Sequence, residues 1–191
     1  MKPIENWNNI EEPTKFEQIA LGGHYCKIVN AKVDTTAKGG EMLVIAFDFA
    51  PADNQAGYFK KQFDSDTEYN KSTAKWRGVY YQMFGNEVSN KYFKQFINYI
   101  EESNTSYSWN WDEKSLIGLL FGGVFGREEY INNKGERKFS TKCRFITTYH
   151  EVKDVEAPKD VLLDNVQTSS QNTTPNYSTD TLNIQPDDLP F

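Results

Sequence analysis

The chain has 191 residues, 38% of them apolar and 15% aromatic, and its 27 acidic and 21 basic side chains leave a formal charge of −6. That length allows one ordinary domain plus appendages. Cys26 and Cys143 fit no CxxC or CxxH spacing, so they argue neither a zinc site nor a disulfide framework. No apolar run approaches a membrane span, and MKPIENWNNIEEP has no apolar signal region; a reducing cytoplasm is expected.

Residues 1–20 read as an irregular lead-in with a helical turn near Thr14 to Ile19. HYCKIVNAKVD (His24 to Asp34) reads as a strand and TTAKGG as a turn. In EMLVIAFDF, Leu43, Ile45, Phe47 and Phe49 alternate with Met42, Val44, Ala46 and Asp48, a second strand. YFKKQF (Tyr58 to Phe63) is expected as a third strand, with Phe59 and Phe63 on one face. Trp76, Val79, Tyr80 and Met83 then repeat at helical spacing, between an N-cap at Ser72 or Thr73 and a stop at Gly85. Phe93, Phe96, Ile97 and Ile100 predict a second helix. SLIGLLFGGVFGREEYI and ERKFSTKCRFITTY read as strands four and five, joined by the hairpin turn NNKG. On strand five Phe139, Thr141, Cys143 and Phe145 share one face, expected to point inward; Lys138, Ser140, Lys142 and Arg144 share the other.

The order β-β-β-α(α)-β-β predicts a mainly β fold: a five-stranded OB-fold barrel with a helical insertion between strands three and four. Gly118, Gly122 and Gly126 are expected to mark its bends. A plain α+β sheet of the same order is the alternative. The expected division is a lead-in over 1–20 and a barrel over 21–152, its helical section at about 66–115. A linker over 153–185, disordered by composition, and a tip at 186–191 follow.

No enzyme constellation stands out. His24 and His150 lie in no metal-ligand motif, and no phosphate-cradling loop is present, so the expectation is a non-enzyme without cofactor or metal. A nuclease site from Asp64, Asp66 and Glu128 is the weaker alternative to a solvated acidic loop.

The charge is uneven. Residues 151–191 hold eight acidic residues against Lys153 and Lys159, a net −6, so residues 1–150 balance at 19 of each sign. Within 126–150, Arg127, Lys134, Arg137, Lys138, Lys142 and Arg144 face only Glu128, Glu129 and Glu136, a local +3 interleaved with Tyr130, Phe139 and Tyr149. Tyr58, Lys60 and Lys61 on the third strand and Lys75, Trp76, Arg77, Tyr80 and Tyr81 farther on extend the pattern. Rings for stacking among cations for phosphates are what sequence-tolerant single-strand binding uses. The plainer reading makes Phe139, Trp76 and Tyr80 core residues and the alternating lysines a solvated sheet face.

The chain ends PDDLPF, with Asp187, Asp188, Leu189, Pro190 and Phe191 after a stretch rich in Ser, Thr, Asn and Gln. This ending resembles the acidic D-D-[IL]-P-F tip of bacterial single-stranded DNA-binding proteins (SSB). NKYFKQFINYIEESN…WNWDEKSL and GLLFGGVFGREEYINNKGERKFSTKCRF look like the SSB-type proteins of phages of low-GC Gram-positive bacteria. The resemblance implies an OB-fold that binds and protects single-stranded DNA in phage replication, recombination and repair, in a bacterial host cytoplasm. It implies a tip that recruits host or phage replication and recombination proteins, and a homo-oligomer. The physics agrees: Phe191 offers a ring and a carboxylate to a basic-rimmed pocket, the aspartates steer, and Pro190 lowers the ordering cost. The alternatives are an adaptor that engages or titrates host SSB-tip receptors and a strand-annealing mediator.

Overall fold

The computed structural model describes residues 2–9 and 17–163. The segments are β1 (Gly22–Thr35), β2 (Glu41–Phe49), α1 (Tyr58–Asn70), β3 (Val79–Phe84), α2 (Glu87–Ser103), β4 (Leu120–Ile131) and β5 (Arg137–Thr147), with 3-10 turns at Trp7–Asn9, Glu113–Leu116 and Val152–Asp154. The strands form one antiparallel sheet in the order β3-β2-β1-β4-β5. No helix among the described residues is long and apolar enough to cross a membrane.

β1 organises the sheet because it serves two partners. Its first half, Gly22 to Lys27, pairs with β4, and Cys26 to Thr35 pair with β2. A register shift between Ile28 and Asn30, inside the β2 ladder and just past the last β4 pair, bends the strand, since an extra residue bends a strand and raises its twist. One face of the sheet is the core. There Phe47 meets Phe59, Phe121 and Phe125 edge-on at 5.4, 5.6 and 6.0 Å, among Cys26, Ile28 and Ile45. Such ring pairs contribute roughly 0.5–1.5 kcal/mol each beyond their buried area.

Tyr58 to Phe63 are not the expected third strand but the first turns of α1. Phe59 and Phe63 share a face in either conformation, since a spacing of four suits both periods. The decision comes from outside the segment. The buried carboxylate of Asp48, on β2, accepts the amides of Phe59 (2.9 Å) and Lys60 (3.1 Å) and supplies the helix with its missing N-terminal acceptor. Gly57, at φ 68, makes the left-handed turn into it.

The expected first helix around Trp76 to Met83 is a loop followed by β3, the true third strand. Tyr80 lies opposite Ile45 and stacks on Phe96, so its apolar contact is made from a strand. α2 is the second expected helix, closed at its start by a reciprocal cap between Asn86 and Ser89. Helix therefore occupies both the β2–β3 and β3–β4 connections, in place of one insertion over 66–115. The outer edges of β3 and β5 do not pair with each other, so the sheet is open rather than a closed barrel.

Phe139 and Phe145 do not point into the core with Cys143; they are 46% and 41% exposed. Pairing skips a residue where Val124 faces Phe145 and Phe125 faces Cys143, which turns Phe145 to the opposite face. Phe139 stays on the Cys143 face but lies past Gly22, where β1 has ended and the core with it.

Of the span 153–185, residues 153–163 are described. Fully buried Val152 packs where side chains at Gly23 and Gly122 would stand, and Pro158 does the same over Gly126. Gly122 and Gly126 thus admit the C-terminal strap. Val161 then continues the sheet beside β4, donating to the Arg127 carbonyl (3.0 Å) and accepting from the Glu129 amide (2.8 Å). The tip, Asp187 to Phe191, lies outside the described residues.

Candidate nucleic-acid interface

The hairpin β4–β5 carries its basic residues at the surface, most of them matched with carboxylates. Arg127 grips Asp160 of the strap through Nε (2.9 Å) and Nη2 (2.6 Å), and its guanidinium lies 5.2 Å from the Phe139 ring. Asp160 holds the Arg127 guanidinium above its already high range. Arg137 meets Glu129 at 3.1 Å, Lys138 meets Glu136 at 3.4 Å, and Glu128 takes both Lys142 (2.9 Å) and Arg144. Lys134 stands exposed in the turn and Tyr130 is 44% exposed. An exposed pair such as Lys138–Glu136 contributes about 0–1 kcal/mol, whereas Glu129 and Arg144, at 8% and 16% exposed, are more enclosed.

The second expected group gathers around α1. Tyr58 packs on Phe49 (ring centroids 5.9 Å apart), and burial raises its phenol above the ordinary range. Lys60 pairs with Asp64, Lys61 donates to the Ala56 carbonyl, Arg77 pairs with Asp66, and Lys75 is half-buried. Trp76 is a correction. It is 3% exposed, and its indole N–H donates to the carbonyls of Phe47 and Gly78 at 3.1 Å, so no base can reach its ring. α1 leaves β2 beside Cys26, and the hairpin leaves β1 at Gly22, so both groups start from the same end of the sheet.

Another surface was not legible in the sequence. On the face of β1–β2–β3 away from the core, three residues line up strand by strand: Lys32, Val44 and Tyr81. Beside it Asn30, Ala46 and Val79 pair across the strands, with Ala46 in the core cluster and Val79 packed against it, and Lys27 lies exposed opposite Asp48. Val44 and Ala46 are each 1% exposed and offer no surface to a ligand, so this face presents Lys27, Lys32 and half-buried Tyr81. Lys32 pairs with Asp34 at 3.3 Å and keeps 43% of its side chain exposed. The alternation in β1 and β2 was readable. Tyr81 is among the expected stacking rings, but reading β3 as helix assigns it no neighbour on β2.

Where β1 meets the strap, Tyr25 and Tyr149 lie with ring centroids 4.5 Å apart and Lys153 sits 5.1 Å over Tyr25. Burial raises the Tyr149 phenol, and the neighbouring Tyr25 and Asp53 add to it. Beneath, buried His24 places Nδ1 at 3.1 Å from Asp53 and Nε2 at 2.9 Å from the Ala20 carbonyl, holding the lead-in to the sheet. Burial pushes the Asp53 carboxyl up, but the hydrogen bonds from His24, Gln55 and Tyr25 outweigh it, leaving Asp53 below the ordinary carboxylate range. Asp48 goes the other way: its burial outweighs its three amide donors. Among the described residues no group of three His, Cys, Asp or Glu side chains is placed to hold a metal ion.

No protein-family model matches the chain, and no curated protein matches it.

Proposed function

We propose that this chain is a non-enzymatic single-stranded DNA-binding protein of phage type. Its sheet is read as an OB-fold with the seam between β3 and β5 left unpaired, and its ending, Asp187 to Phe191, as the site that recruits replication and repair proteins. The observation that carries the reading is the outer row Lys32–Val44–Tyr81 beside Lys27 and Asn30. OB-folds take oligonucleotides across the face of their second and third strands, between the β1–β2 and β4–β5 loops. Here that face offers a half-buried tyrosine for stacking and lysines on β1 for phosphates.

The test is a fluorescence titration with an oligo-dT strand and a duplex of equal length, at several salt concentrations. Single-strand binding should prevail, with a slope of log K on log salt of about −0.7 per phosphate neutralised. Equal affinity for the duplex would sink the reading.

A second reading, an adaptor whose work is done by the tip, is favoured by the charge-neutral body and by the carboxylates that already occupy the hairpin cations. On the first reading, deleting residues 180–191 removes partner capture and leaves single-strand affinity equal or stronger. On the second, single-strand affinity is absent from the outset.

A further inference from the structure

The connection between α2 and β4 carries a large ring in a backbone state such residues seldom adopt. Trp111 has φ 65, in the left-handed region, and is 82% exposed. The connection around it is tied down at several points. The Trp109 amide donates to Glu101 (2.8 Å), Ser115 Oγ donates to Asn110 Oδ1 (3.0 Å), and Lys114 Nζ donates to the Ala31 carbonyl (2.8 Å). Trp109 lies 6.1 Å from both Phe93 and Trp111, and its buried indole N–H finds no acceptor among the described residues. Trp111 is therefore held outward by a fixed scaffold.

The charge of this corner is the opposite of the hairpin's. Residues 101–114 carry Glu101, Glu102, Asp112 and Glu113 against Lys114 alone, a net −3, whereas residues 126–150 carry +3, or +2 with Asp160 of the strap, which grips Arg127. The hairpin tip also exposes Ile131 (59%) and Phe139 (46%). The two features lie off opposite ends of β1: Lys114 reaches Ala31 in its second half, whereas the hairpin runs on past Gly22 at its start.

We propose that the Trp111 corner docks on the β4–β5 hairpin of a second copy of this chain. An aromatic anchor ringed by complementary charge suits such a contact. Because the two surfaces differ and face apart, the contact is heterologous: it does not close at two copies, and it repeats head to tail. It needs no DNA, so it stands or falls apart from the function proposed above.

The test is sedimentation velocity on the full chain without DNA, over a concentration series at low and high salt. The average mass should rise with concentration and fall as salt screens the charges. Trp111→Gly, which suits the left-handed backbone, should weaken association about tenfold. Glu102→Lys with Glu113→Lys should give a monomer, and so should Lys134→Glu with Lys138→Glu. Mixing these two double variants should restore association, because each reversed surface then meets an opposite one; recovery also shows that both are folded. A wild-type chain that stays monomeric, a dimer indifferent to these substitutions, or a mixture that fails to associate would each overturn the proposal.

Discussion

The face of β1–β2–β3 and the β4–β5 hairpin both combine rings with cations, but they are built differently. The hairpin holds more positive charge, yet most of it meets Glu128, Glu129, Glu136 or Asp160 within 4 Å. The sheet face holds fewer cations, with Lys32 and half-buried Tyr81 flanking covered Val44. The difference teaches that counting basic residues overrates a hairpin whose strands alternate signs across the ladder.

The largest expected effect tests the border between ligand surface and core. Trp76→Ala should cost about 3–5 kcal/mol of stability in denaturant unfolding, as large core truncations do. Phe139→Ala, on an exposed ring, should cost well under half of that. A Trp76 variant that kept its stability and lost DNA affinity would return Trp76 to the binding surface.

Next comes the sheet face itself. Tyr81→Ala should lower oligo-dT affinity by roughly 1–3 kcal/mol, the worth of one base stack. Tyr130→Ala on the hairpin should cost less in the same titration; the reverse order would move the principal site to the hairpin. Gly122→Val would drive a side chain into Val152 and should destabilise by about 1–3 kcal/mol, as overpacking does. Its effect on affinity should be minor, because it lies under the strap.

The smallest effect is a pH dependence. Asp53 sits below the ordinary carboxylate range when folded, so its contribution is fully present above the unfolded value near 3.9 and is lost as pH falls through the lower folded value. Asp53→Asn should therefore flatten the acid limb of the stability curve while leaving its neutral-side shape unchanged. An unchanged acid limb would show that another group governs it.

The sequence by itself determined β1, β2, α2, β4 and β5 to within a few residues, because each carries a long and unambiguous period. It also marked the separation of acidic tail from neutral body, which is pure composition. Tertiary structure decided what short segments became. Tyr58 to Phe63 satisfied both periods, and Asp48 resolved the tie by capping the helix from another strand. Trp76 to Met83 matched a helix until pairing with β2 offered its tyrosines better partners. The register shifts at Ile28/Asn30 and Val124/Phe125 then set which side chains face outward. Lys32 and Tyr81 could become neighbours only through two ladders joining three strands, and no local pattern along the chain encodes that meeting.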